Sequence, residues 1–465
     1  MPFRRIALVT AFLVVAAIFP ASRCFAQNGE VAHSEPGAND LSARLDQAAS
    51  AFQANRHFMG TVLVAKGGHI LLEKPYGMAN LEWNVPNTVD AKFRLGSITK
   101  QFTATAILQL AEQHKLSVQD PACNYFDSCP EAWKKITIHQ LLSHTSGIRS
   151  YTDEKDFDKP PSIRIPKTPA EILLLSKDKP LEFDPGTKWK YDNSGYIFLG
   201  IIVEKVSGEK YANYIKKHIF DPLGMSNSGY DDTAVVLSHR ASGYQPCGDT
   251  FCNSDYIDMS LPFAAGSLYS TVDDLYKWDR ALYTDSILSK ASRDLMFTAV
   301  LHDYGYGWML GRMANHKQIG HGGGIPGFAT YIARFPEDDA TVIVLSNNVA
   351  ANTGAIAGAL AGTLFGEKVN LPGEMKRVSI DASILDRYAG TYQVGPLLIT
   401  FTNEGGHLMA SPKGQGTLEA VPSSETQFFI EQVGAVLTFT PGPDGKAQEV
   451  KLEQGGATIS GKRVK

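Results

Sequence analysis

A chain of 465 residues with 44 basic and 48 acidic side chains carries a formal charge of −4, and 43% of it is hydrophobic. That length suggests two domains with cores of their own. A mildly acidic balance without a basic run offers no footprint for nucleic acid.

In chain order, residues 1–26 read as an export signal. Arg4 and Arg5 give the positive start, Ile6 to Ile18 the apolar stretch, and Cys24-Phe25-Ala26 the small-residue cleavage site. The apolar run is shorter than the ~20 residues a span needs, and no later stretch could cross a membrane. The mature chain is therefore expected to be soluble, and periplasmic or secreted. Residues 27–40 are polar, with glycine and proline, and read as a disordered leader. A helix is expected over Leu41 to Phe52.

Gly60 to Glu73 reads as two apolar strands around Gly67-Gly68, a hairpin signal. From Ser97 to Leu116 the chain is apolar nearly all round, which predicts a buried helix. Residues 136–288 mix helical patterns with Pro- and Gly-rich loops. A second hairpin follows, with strands over Gly327–Phe335 and Thr341–Ser346 and a turn at Glu337-Asp338-Asp339, then a closing helix from Ala355 to Phe365. Strands at both ends with helices between them predict an α+β domain over 41–366: one antiparallel sheet flanked by helices, plus a helical subdomain. Residues 367–380 read as a linker. Residues 381–465, with β-type runs at Leu397–Thr402, Gln427–Glu431, Val436–Thr440 and Glu449–Glu453, predict a small all-β, barrel-like domain.

Four cysteines remain after the signal: Cys123, Cys129, Cys247 and Cys252. An exported chain permits disulfides, and the short spacings favour Cys123–Cys129 and Cys247–Cys252 among the three possible pairings. Neither pair has zinc-type C-x₂-C spacing, and H-E-x-x-H is absent, so no metal or other cofactor is expected.

The chemistry concentrates at Ser97-Ile98-Thr99-Lys100. A serine opening a helix lies beside free backbone N–H groups, and a lysine three residues on shares its face. Desolvation lowers an ammonium's pKa, so that the amine can take the serine's proton. Ser-x-x-Lys recurs at Ser176 and Ser207, but those copies fall in charged or turn sequence; only Ser97 opens a buried helix. Tyr191 and Asn193, in Pro185-Gly-Thr-Lys-Trp-Lys-Tyr-Asp-Asn193, alternate in what reads as an extended loop and would point the same way. The similar Tyr211-Ala212-Asn213 sits in an amphipathic helical segment and reads as packing. Gly320-His-Gly-Gly-Gly324 precedes the second hairpin; glycines there let sheet-edge N–H groups approach a ligand and form an oxyanion hole with Ser97. His321 could orient substrate or relay a proton.

These motifs, with Leu141-Leu-Ser-His-Thr-Ser-Gly147 and Pro222-Leu-Gly-Met225, resemble the serine β-lactamase-related hydrolases: class C β-lactamases, DD-peptidases, D-aminopeptidases and related esterases. The resemblance covers Leu41 to Leu364. It implies Ser97 as acylated nucleophile, Lys100 as proton acceptor, Tyr191 as general acid/base and Asn193 as substrate-amide ligand. It puts His321 and Gly323 in the Lys-Thr-Gly position, with the Gly324 N–H in the oxyanion hole. His144 and Ser146 are read as structural. A histidine where relatives carry a permanent cation favours a peptidase or esterase acting on a D-amino-acid peptide or small ester. A true β-lactamase or DD-carboxypeptidase is the alternative, and a catalytically idle binder of cell-wall fragments the alternative of another class. The implied partner is a small molecule or short peptide. Residues from Ala382 to Tyr392 resemble the start of lipocalin-like barrels appended to such hydrolases.

Overall fold

The computed structural model describes residues 36–464 except 55–57, 158, 249, 374–375, 396, 414–416, 431–433 and 455–456. The expected export signal lies outside the described residues. Helix α1 (Pro36–Ala54) begins ahead of Leu41, taking in the end of the expected leader.

Strands β1 (Gly60–Lys66) and β2 (His69–Tyr76) form the first hairpin. Helix α2 (Thr99–Glu112) is the buried helix, α3 (Asn193–Ser207) crosses the helical subdomain, and α4 (Val272–Ala281) follows. Strands β3 (Met309–Met313), β4 (His316–Ile325), β5 (Phe328–Phe335) and β6 (Ala340–Ser346) precede α5 (Thr353–Phe365). The sheet order is β3-β4-β5-β6-β1-β2. Gly60 faces Ser346 and Lys66 faces Ala340, so the first strand of the domain is zipped to its last.

Side chains alternate across each strand. Val62, Val64, Val342 and Val344 pack with Leu45 of α1 and Ile356 and Leu360 of α5. Leu63, Ile343 and Leu345 belong to the core that includes Ile98, Phe102 and Ile107 at α2. Both faces are covered, which is why these strands read as unbroken apolar runs.

One buried ion pair ties α4 to the sheet: Arg334 Nε donates to Asp279 Oδ1 at 2.5 Å, with both side chains 2% exposed or less. Removing one member strands a charge away from water. Asp279→Ala should therefore destabilise the domain by about 3–5 kcal/mol in urea denaturation.

Both expected disulfides are formed, Cys123–Cys129 and Cys247–Cys252. Among the described residues no helix is long and apolar enough to cross a membrane.

The C-terminal segment is a closed barrel of eight strands: Gly390–Val394, Leu397–Glu404, His407–Pro412, Leu418–Pro422, Gln427–Ile430, Ala435–Pro441, Ala447–Gln454 and Ala457–Arg463. Tyr392, Phe401, Phe428 and Phe439 fill it. Closure leaves no free sheet edge.

Candidate active site

Ser97 lies in a one-turn 3₁₀ segment, Gly96–Ile98, that runs directly into α2. Lys100 follows within the first α-helical turn and is fully buried. Its Nζ donates to Ser97 Oγ at 3.0 Å, Asn193 Oδ1 at 2.8 Å and the Ala265 carbonyl at 3.0 Å. Burial pulls the ammonium from 10.5 down to about 7, with Asp192 resisting. A neutral amine with a lone pair toward the serine is thus accessible at physiological pH.

Strand β3 pairs with β4 only as far as Gly320, leaving the later glycines of β4 unpaired on that side. They meet the Leu95–Ser97 segment instead. A Cβ on Gly323 would sit 1.9 Å from the Leu95 carbonyl, and one on Gly96 (φ +55°) 2.9 Å from the Gly324 nitrogen. Only glycine lets the two backbones come this close. Thr330 Oγ1 clamps the contact by donating to the Leu95 carbonyl at 2.7 Å.

Asn193 is the first residue of α3 and not part of an extended loop, and Asp192 is the helix N-cap, its Oδ2 accepting from the Gly195 N–H at 3.0 Å. Tyr191 and Asn193 nonetheless converge on one atom. Lys100 Nζ sits 4.7 Å from the Tyr191 ring centre as well as on Asn193 Oδ1. The Asn193 amide orientation follows from its partners, since Nδ2 donates to Thr152 Oγ1 at 3.2 Å. Tyr191 Oη is buried and completes no hydrogen bond. Burial pushes this phenol's pKa well up, Ser97 lies near enough to temper the rise, and Asp192 adds to it. Burial likewise raises Asp192 to about 7 against its hydrogen bonds.

His321 is 4% exposed, and both ring nitrogens are engaged, Nδ1 with the Gly322 carbonyl and Nε2 with Tyr304 Oη. Burial, then the nearby Lys100, bring its pKa down to about 4, so it stays neutral. The His144 ring packs at a tilt against Tyr191, 4.4 Å between centres, and Ser146 Oγ donates to Asp192 Oδ2. The other Ser-x-x-Lys copies turn elsewhere: Lys179 pairs with Glu154 and Lys210 with Glu204. Tyr211 is buried, with Thr103 as its hydroxyl partner.

A cavity of about 190 Å³ opens on Ser97, Asn193 and Gly324 and is walled by Tyr151, Phe157, Ile163, Ile257, Leu261 and Ile325. No charged side chain is among its described lining residues. Sequence reasoning missed this wall, and also Tyr304, Asp192 and the Ala265 carbonyl. These come from five separate segments, around residues 151–163, 192, 257–265, 304 and 325, and no local spacing links them to Ser97.

A beta-lactamase family profile matches residues 45–365. The chain is 32% identical over 424 residues to penicillin-binding protein 4* of Bacillus subtilis (strain 168), covering 86% of this chain and 93% of that one. The octameric penicillin-binding protein homologue from Pyrococcus abyssi superposes with a TM-score of 0.66 at 27% identity, over 90% of this chain and 99% of its own. The D-amino acid amidase from Ochrobactrum anthropi SV3, at 23% identity and a TM-score of 0.63, shares the fold over 70% of this chain and 99% of its own. The chain therefore belongs to the beta-lactamase family of hydrolases.

Proposed function

We propose that the protein is an exported serine hydrolase that cleaves an ester or amide through an acyl-enzyme on Ser97. The contact of 3.0 Å between a buried, neutralisable Lys100 amine and the Ser97 hydroxyl carries this reading. Lys100 takes the Ser97 proton as Oγ attacks the carbonyl carbon. The N–H groups of Ser97 and Gly324 hold the oxyanion, and its collapse breaks the bond to the leaving alcohol or amine. The leaving group takes its proton from the Lys100–Tyr191 pair. The same pair then draws a proton from the attacking water and returns it to Ser97 Oγ as the acyl group leaves.

The cavity selects the acyl group. A pocket of about 150 Å³ lined by Leu, Ile and Phe holds one benzene, so 190 Å³ of apolar space suits a benzyl-sized or short linear group. A charge buried there would go unpaired, at a cost of several kcal/mol. Neutral His321 offers no permanent cation for a substrate carboxylate. A short ester or a D-amino-acid derivative with a blocked amine fits better than a β-lactam bearing a carboxylate. Assayed side by side, p-nitrophenyl butyrate should give a higher kcat/KM than D-alanyl p-nitroanilide, and nitrocefin the lowest. Nitrocefin turned over fastest would overturn this choice of substrate.

A further inference from the structure

We propose that Tyr304 is a positioning residue of this site, its hydroxyl setting the tautomer and orientation of His144 and His321, the two imidazoles beside Tyr191. The inference rests on the reading of Ser97 and Lys100 as nucleophile and base. Four hydrogen bonds form one chain: the Asp192 N–H to His144 Nδ1 at 3.1 Å, His144 Nε2 to Tyr304 Oη at 3.2 Å, Tyr304 Oη to His321 Nε2 at 3.1 Å, and His321 Nδ1 to the Gly322 carbonyl at 2.5 Å. The two ends have fixed roles. A backbone N–H can only donate and a carbonyl can only accept.

Every proton between them is thereby placed. His144 accepts at Nδ1, so its hydrogen is on Nε2 and points at Tyr304. His321 donates from Nδ1, so its Nε2 lone pair receives the Tyr304 hydroxyl hydrogen. A second proton on His321 would set a donor against the Tyr304 hydroxyl and turn its hydrogen away from the ring toward Tyr196, the other hydroxyl beside it. A second proton on His144 would set a donor against the Asp192 N–H. Tyr304 and His144 are both 1% exposed or less, so water does not relieve either conflict.

The groups that face the rings are Lys100, Tyr191, Tyr196 and Asp192. Lys100 is the cation among them, and it lowers the pKa of both rings in addition to the larger effect of burial. A charged imidazole here would repel the proton that Lys100 accepts from Ser97. Keeping both rings neutral leaves Lys100 as the base and holds the Tyr191 ring between two fixed walls.

Nitrogen-15 NMR of histidine-labelled protein, assigned with His144→Gln and His321→Gln, tests this directly. In the wild type His144 should be the Nε2–H tautomer and His321 the Nδ1–H tautomer, with neither charging between about pH 8 and pH 5.5. In Tyr304→Phe the His321 Nε2 resonance should move toward that of an unbonded imidazole nitrogen, and kcat should fall about tenfold. Tyr306→Phe is the control, since its hydroxyl meets His139, and it should leave the His144 and His321 resonances and kcat unchanged. A charged or Nε2–H form of His321 in the wild type at pH 6 would overturn the proposal, even if Tyr304→Phe fails to fold. So would a Tyr304→Phe protein with unaltered resonances and kcat. Failure of Ser97 to acylate, with the tautomers as stated, would instead overturn the acyl-enzyme reading.

Discussion

Replacing Lys100 by methionine should lower kcat/KM roughly 10²–10⁴-fold, the usual worth of a general base, while making the fold more stable at neutral pH. The two effects share one cause. A lysine held at about 7 in the folded state and 10.5 when unfolded costs on the order of 4 kcal/mol at pH 7. Methionine fills similar volume without that cost, although Asn193 Oδ1 and the Ala265 carbonyl lose a donor each, at about 1 kcal/mol apiece.

The sign can be checked by pH. Between about 7 and 10 the unfolded wild type binds a proton that the folded state does not, so wild-type stability rises with pH across that window. The variant lacks this rise, and its advantage should shrink as pH increases. Asp192, raised to about 7 by burial, acts below this window, where its contribution fades as pH climbs from 3.8. The two buried histidines also act below it, because their lowered pKa costs stability as pH drops under 6.5. Urea denaturation of both proteins at pH 7 and pH 9.5 measures the difference. A gap that widens with pH would contradict the account. Wild-type kcat/KM should itself rise with pH through an apparent pKa of about 7, as Lys100 loses its proton.

Ser97→Ala should have the larger catalytic effect, a loss of roughly 10⁴–10⁶-fold in kcat/KM, because no acyl-enzyme can form. Ser97 is partly exposed and its side chain meets Lys100, so the circular dichroism spectrum should be unchanged. The proposed oxyanion hole, left intact, would account for whatever activity remains.

Much of this was legible in the sequence, for identifiable reasons. Ser97 and Lys100 are joined by helical periodicity, which a single turn enforces whatever the rest of the fold does. The hairpin at Gly67-Gly68 and the closing helix declare themselves through glycine placement and apolar runs. The Gly322-Gly323-Gly324 run could be read as backbone open to a ligand, though not as the close approach of Gly323 to the Leu95 carbonyl. Barrel strands such as His407–Pro412 and Leu418–Pro422 escaped notice because half of each points outward and carries polar residues. The chain through Tyr304 was illegible because it joins residues 144, 192, 304 and 321, which only the tertiary fold brings together. His144 read as structural because its segment was expected to cap a helix. Its positive φ of 58° and its contact with Tyr191 are visible only in three dimensions.

The most direct measurement is intact-mass and peptide mapping of the protein after brief exposure to a fluorophosphonate. One adduct should form, on the peptide containing Ser97, faster at pH 8 than at pH 6, and absent from Ser97→Ala. Label persisting at wild-type level in Ser97→Ala, or mapped to another residue, would contradict the account.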